Sequence, residues 1–381
     1  MRGGSLGNFV NSDLDVNVLE NLVPYKNLKR LSIVSYEGAR SAKWMYEADL
    51  ISNLEYICLE KCSEWETLPP FGQLPHLKWL YLRNMPKAKR LDYKFHWNDK
   101  VSVFPSLEVL NMEGLQVLED WFDGAGAAAD DCFFPCLTEL SLVNCPNLQE
   151  LPYLPPKLRK MQINSIGWKA LNCKQGGTSK SIPLETLEVS SCPNITSLLL
   201  ADVRLEAVRE LRIEGCPNLI SLGGLQQVES GNEKFQLIVS EVVINDPSLL
   251  PTVNIASLEK FTICDNDVLL SFPIEAEQWF PHVSSSLREL SFRRLISLQS
   301  IPSSLERLSS LKILRIEDVP QIQQLLRIPA SLEELCLQHL ESLQCLPTSL
   351  SAISSLKSLS LFLYRYSAFH SSNHCQNSLP P

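Results

Sequence analysis

Twelve cysteines and six histidines are the residues of this 381-residue chain with most chemistry to offer. A structural zinc site needs four nitrogen or sulfur donors at close spacing. Cys132 and Cys136 form a tight cysteine pair, and no second pair or histidine lies nearby to complete a tetrahedral set. The histidines, His76, His96, His282, His339, His370 and His374, fall in no His-Glu-x-x-His arrangement. Gly176-Gly177-Thr178-Ser179-Lys180 carries the residue types of a phosphate loop. A phosphate loop, however, requires Gly-Lys-Ser/Thr after a spaced glycine, between a strand and a helix. These residues are therefore expected to form an inter-element loop, and no catalytic group, metal or cofactor is expected.

Four cysteines, Cys62, Cys145, Cys192 and Cys216, lie at the same place in a repeated pattern, which makes them buried thiols rather than reactive ones. The pattern is Leu-x-x-Leu-x-Leu-x-x-Cys/Asn/apolar. Its clearest copies are Leu137/Leu140/Leu142/Cys145, Leu184/Leu187/Val189/Cys192 and Val208/Leu211/Ile213/Cys216, each followed by Pro-Asn-Leu or Pro-Asn-Ile. This is the signature of a leucine-rich repeat. The first apolar residues of successive copies are Leu28, Leu54, Leu77, Leu107, Leu137, Leu158, Leu184, Val208, Val239, Leu258, Leu287, Leu311, Leu332 and Leu356, about 25 residues apart. The copy at Val239/Val242/Ile244 is the least regular.

Within each copy apolar and variable residues alternate with period two, as in a strand with one buried face. Leu80 and Leu82 then point inward, and Trp79, Tyr81 and Arg83 outward. Copies that run in one direction, joined by connections long enough to cross over, must pair as parallel strands. The predicted fold is an α/β solenoid: a horseshoe with one continuous parallel β-sheet on its concave face, roughly 60 Å long for fourteen strands. Leu68-Pro69-Pro70, Leu151-Pro152, Ile301-Pro302 and Leu346-Pro347 place proline in the return segments, so these are expected to be mostly irregular or 3₁₀. Residues 1–17 are read as a lead-in, 18–366 as the solenoid and 367–381 as a polar tail. The stretches 119–131, 172–181 and 223–234 break the period and are expected as loops.

The composition, 45% hydrophobic and 20% charged, belongs to a folded chain. A formal net charge of −9 argues against nucleic acid as the main partner. No apolar run approaches a membrane span, and Met1 to Ser5 lack the apolar segment of a secretory signal, which makes a cytoplasmic address the expectation.

With chemistry set aside, the outward strand positions are where function is expected. Tyr56, Trp79 and Tyr81, with Arg83 beside them, gather aromatic residues of the kind enriched at interface hot spots; alternatively they stack on one another or beneath a loop. Arg288, Arg293, Arg294, Lys312 and Arg315 form a basic patch on consecutive strands. That patch fits an acidic partner, or else it pairs with Glu289, Glu317, Asp318, Glu333 and Glu334 in a solvated ion network. Glu188 and Arg212 share one outward position in neighbouring copies and are expected to pair across strands.

Val18 to Leu31, followed by Tyr36-Glu37-Gly38 and Trp44-Met45, resembles the repeat region of plant intracellular nucleotide-binding leucine-rich-repeat disease-resistance proteins. Leu68-Pro69-Pro70-Phe71-Gly72-Gln73-Leu74-Pro75-His76-Leu77-Lys78-Trp79-Leu80 resembles a segment of their coiled-coil subclass, and the Cys-Pro-Asn-Leu copies resemble the same family. The resemblance spans about Val18 to Leu361. It implies a non-catalytic scaffold in plant innate immunity. Its concave face would bind a protein: a pathogen effector, a host protein, or the nucleotide-binding or coiled-coil domains of a resistance protein. The phosphate-loop motifs of full-length members are not present, so no nucleotide binding is expected. Two alternatives remain: the substrate-recognition part of a ubiquitin ligase, and a non-functional fragment of a resistance gene.

Overall fold

The computed structural model describes residues 7–89, 91, 104–119, 134–150, 154–170, 183–196, 198, 208–219, 241–252, 258–325, 327–346, 350 and 353–362. They contain β1 (Arg30–Val34), β2 (Tyr56–Glu60), β3 (Trp79–Arg83), β4 (Val109–Glu113), β5 (Glu139–Val143), β6 (Lys160–Asn164) and β7 (Thr186–Ser190). The series continues with β8 (Glu210–Glu214), β9 (Glu241–Ile244), β10 (Lys260–Cys264), β11 (Glu289–Arg293), β12 (Ile313–Glu317), β13 (Glu334–Gln338) and β14 (Ser358–Phe362). All fourteen form one sheet in chain order, each parallel to the next. The chain is a leucine-rich-repeat solenoid. Every strand starts two residues after the first apolar residue of its sequence copy, including β9, which follows the irregular copy at Val239.

The alternation in sequence becomes alternation in burial. In β3 the inward Leu80 and Leu82 are buried while Trp79, Tyr81 and Arg83 are half-buried on the other face. Inward residues of one strand stack on those of the next, Leu110 on Leu140 and Met112 on Leu142, so the core is a continuous apolar column. Each unit buries its apolar face only against its neighbours, so a strand with a neighbour on one side alone is covered less well. Leu359 and Leu361 in β14 occupy inward positions yet are 43% and 41% exposed, and Leu31 and Ile33 in β1 are half-buried.

After twelve of the strands the next residue adopts a left-handed backbone: Ser35, Lys61, Asn84, Gly114, Asn144, Ser165, Ser191, Gly215, Asp265, Arg294, Asp318 and His339. This conformation turns the chain out of the sheet while its N–H still reaches the following strand. Gly114 donates to Val143 (2.9 Å), Asn144 to Asn164 (2.8 Å) and Asp318 to Gln338 (3.0 Å). The Cys-Pro-Asn corners extend the same stitching. Cys145 Sγ donates to Val143 O at 3.4 Å and Met112 O at 3.9 Å, and Cys216 to Glu214 O at 3.5 Å and Val189 O at 3.9 Å. The asparagine then reaches the preceding repeat: Asn147 Nδ2 to Gln116 O (2.8 Å), Asn194 to Gly167 O (3.3 Å) and Asn218 to Pro193 O (2.7 Å). A small thiol fills the corner and satisfies carbonyls that a methyl group would leave bare.

At strand entry, the residue just before each strand carries charges of opposite sign on several neighbouring repeats. Lys29 pairs with Glu55 (2.8 Å), Lys78 with Glu108 (3.6 Å), and Arg159 with Glu185 (3.0 Å). Glu333 lies between Lys312 (2.8 Å) and Lys357 (2.6 Å). Hydrogen bonds from the two ammonium groups pull the Glu333 carboxyl down to about 2.

Among the described residues the returns include short 3₁₀ segments, Lys43–Tyr46, Phe71–Gln73, Pro247–Thr252, Phe280–Val283 and Ser303–Arg307, and brief helices α2 (Ala48–Ile51) and α3 (Ile274–Trp279). In the Leu-Pro-Pro return, Leu68, Phe71, Leu74 and Leu77 recur every third residue, the period of a 3₁₀ helix, and all are buried. One longer helix, α1 (Gly7–Asn21), runs across the expected boundary at residue 17 and packs on the first repeat. Trp44 Nε1 donates to Leu19 O at 2.8 Å, and Asp15 and Glu20 accept from the backbone N–H groups of Glu37 and Lys43. The expected loops at 172–181 and 223–234, the 119–131 stretch after Glu119, and the tail lie outside the described residues, as do Cys132, His96, His370, His374 and the Gly176 to Lys180 segment.

Leu140 sits mid-column between β4 and β6, so Leu140→Ala should cost about 2–5 kcal/mol. Leu140→Asp should unfold at least the adjoining repeats, read as accelerated proteolysis; unchanged cleavage would contradict the register. The left-handed corner predicts that Gly215→Val, a β-branched residue at φ 62°, destabilises by about 1–2 kcal/mol in urea melts, whereas Gly215→Asn is much milder. For Glu333 the folded-state pKa lies below the ordinary value of 4.5, so its contribution is fully present above about 4.5 and lost as pH falls towards about 2. A carboxylate titration by NMR should show this depressed midpoint, moving back upward in high salt.

Candidate protein-recognition face

Outward residues of neighbouring strands lie side by side because the parallel register is unbroken. Trp79 stands opposite Tyr56 on β2, and Tyr81 opposite Cys58. The Tyr56 and Tyr81 rings meet at 5.5 Å between centroids with a 40° tilt. Arg30 covers the Tyr56 ring at 4.4 Å and Arg83 the Tyr81 ring at 5.2 Å, while Lys78 lies 5.7 Å from the Trp79 ring. Arg83 is held in turn by Asn111 Oδ1 (3.1 Å) and Glu113 (3.9 Å). The four residues Tyr56, Trp79, Tyr81 and Arg83 thus form one partly exposed cluster, and its two tyrosine rings meet in a tilted contact. Burial among these neighbours raises the Tyr56 phenol, with the Cys58 thiol adding to the shift. Cys58 points outward yet is buried, because Tyr56 on its own strand and Tyr81 on the next close over the small side chain.

The basic patch is distributed among carboxylates. Arg293 pairs with Glu317 (3.0 Å), Lys312 with Glu333 (2.8 Å), and Arg315 bridges Glu289 and Glu334. Arg294 grips both oxygens of Asp265 at 2.5 and 2.7 Å, a partner that sequence reasoning overlooked. Asp318, expected to serve the arginines, instead contacts His339 Nδ1 at 2.5 Å. Arg288 alone of the five has no ion pair among the described residues. Exposed pairs of this kind each contribute little to stability, yet they cancel most of the positive field that the sequence suggested.

Glu188 and Arg212 are register partners, but the expected ion pair between them does not form. Arg212 Nη1 turns along its own strand to Glu214 at 3.1 Å. Two residues apart on one strand, both side chains lie on the same face, and Glu214 is close enough to win the contact.

Buried thiols and one mixed cluster complete the reactive inventory. Burial pushes the Cys62 and Cys145 thiols up to about 11, which keeps them protonated and unreactive. Cys136 accepts from Lys157 Nζ at 3.6 Å. Glu214, Cys264 and Asp265 bring three possible ligand atoms within 4.8 Å of one another. Both Asp265 oxygens are engaged by Arg294, and Cys264 donates to Glu214 at 3.6 Å; burial and the Glu214 charge hold its thiol well above the ordinary range. This cluster works as an ion-pair network between strands.

Between the aromatic cluster and Glu188 the concave face dips into a trough of about 270 Å³ over β3 to β7. Its floor is a single row of outward residues in register: Tyr81, Asn111, Ser141, Gln162 and Glu188.

A family model for R13L1/DRL21 LRRs matches residues 5–85, the stretch from α1 through β3. The provisionally named disease resistance RPP13-like protein 1 of Arabidopsis thaliana is 30% identical over 54% of this chain, which covers 22% of that protein. Disease resistance protein RGA2 of Solanum bulbocastanum is 26% identical over 52% of the chain and 20% of its own length. TMV resistance protein N of Nicotiana glutinosa is 23% identical over 80% of the chain and 31% of its own length. The chain thus spans less than a third of each of these relatives. Taken with the Cys-Pro-Asn corners and the Leu-Pro-Pro return, these likenesses make the chain similar to the leucine-rich-repeat regions of plant disease-resistance proteins.

Proposed function

We propose that this chain is a cytoplasmic, non-catalytic recognition scaffold in plant defence, a single solenoid over residues 18–366 that binds a protein on its concave face. The observation that carries this reading is the partly exposed cluster of Tyr56, Trp79, Tyr81 and Arg83 on a sheet whose register fixes every outward side chain. Aromatic and arginine side chains held in place before contact lose little entropy on binding, which is why they dominate interface energetics. The partner classes are a pathogen effector, a host protein, or the regulatory domains of a resistance protein. Arg288 and the paired arginines around it form a secondary contact region. Among the described residues no helix is long and apolar enough to cross a membrane.

Trp79→Ala with Tyr81→Ala should leave the melting profile close to that of the parent, since both side chains point away from the core. Capture of a partner from infected leaf tissue should fall by about tenfold or more. Retrieval of chaperones alone, unaffected by the double substitution, would overturn this assignment.

A further inference from the structure

Resting on the reading of the concave face as a recognition surface, we propose that the trough over β3 to β7 binds an extended peptide segment of its protein partner, with a basic side chain of that segment seated on Glu188. Three observations carry this. First, the row from Tyr81 to Glu188 crosses five strands, so at the usual strand separation it is about 19 Å long, the span of about six residues of extended chain. Second, the floor between the ends consists of Asn111, Ser141 and Gln162, short or flexible polar side chains with both donors and acceptors. The Ser141 hydroxyl meets Gln162 Oε1 at 3.0 Å, which leaves the Gln162 amide nitrogen free to donate to a peptide carbonyl. Such a floor suits a polypeptide backbone, which offers alternating N–H and C=O groups, better than it suits an apolar helix.

Third, of the two carboxylates that line the trough only one is paired. Glu139 is neutralised by Lys160 at 3.3 Å. Glu188 has no hydrogen bond or ion pair among the described residues, because its register partner Arg212 is turned to Glu214. A half-buried carboxylate with no partner, at the end of a polar channel, is complementary to an arginine or lysine arriving with the ligand. The opposite end is closed by the tilted tyrosine pair, which presents ring surface to an apolar or aromatic residue. The predicted recognition element is therefore a basic residue and an apolar or aromatic one separated by about five positions.

The test uses the full chain and a randomised octapeptide display library. Parent protein should enrich peptides with arginine or lysine at one fixed position and an aromatic or large aliphatic residue about five positions away. Selected peptides should bind Glu188→Lys about five- to tenfold more weakly, and reselection on Glu188→Lys should exchange the basic preference for Asp or Glu. Glu275→Lys, on α3 away from the sheet, is the control and should select as the parent does. Glu188→Gln, which removes charge without adding bulk, should lose the basic preference while melting as the parent does, which separates lost recognition from lost folding. No enrichment over the support alone, or enrichment indifferent to Glu188→Lys, overturns the trough assignment. In that event, partner capture that still depends on Trp79 and Tyr81 would leave the broader concave-face reading standing.

Discussion

The whole architecture depends on a conformational exception repeated at the end of the strands. A residue with positive φ is unfavourable by about 1–2 kcal/mol for most side chains, yet after twelve of the strands the chain accepts it. What it gains is a turn out of the sheet in which the departing N–H still bonds to the neighbouring strand. Without that turn the chain would run on as strand and the returning segment could not fall behind the sheet. The Cys-Pro-Asn sequence then finishes the corner, with a thiol directed at carbonyls and an amide tied to the preceding unit. Strand, corner and return are thus one mechanical element, and the apolar column is the means by which successive elements recognise each other.

Much of this was legible in the sequence. Period-two alternation located all fourteen strands, because inward and outward positions differ in the most basic property of a side chain, its affinity for water. Among the described residues, the proline-bearing returns at Pro69 and Pro302 hold no long helix, as expected. The corner residues were less visible: no single type marks them, although Asn84, Gly114, Asn144, Gly215, Asp265, Asp318 and His339 are of types that favour the left-handed region. Ser35, Lys61, Ser165, Ser191 and Arg294 obscure the trend. Aligning the copies one place beyond the strand would have exposed it. Helix α1 was missed because its apolar residues do not form a clean stripe; it is held largely by Trp44 and by two carboxylates that accept from the first return.

The outward face was harder to read, for a physical reason. Inward side chains have one neighbour on each side and a single demand, whereas outward ones choose among several partners at similar cost. Arg212 lies as close in register to Glu188 as in sequence to Glu214, and local geometry decided between them. The same competition drew Arg294 to Asp265 and left Asp318 to His339. Sequence therefore locates which residues share the surface, while the pairing that leaves some of them available emerges only from the assembled sheet.

Because the apolar face of every unit packs only against its neighbours, the distance between any two surface features is counted in strands. Duplicating or deleting one cassette of the gene would move Tyr81 and Glu188 apart or together in steps of about 4.8 Å, with the corner and the column left intact. Lengthening a return would change the convex side and leave that distance untouched. Such a chain gives evolution a ruler with fixed graduations, on which the reach of a binding surface and its side-chain chemistry can be altered by separate genetic events.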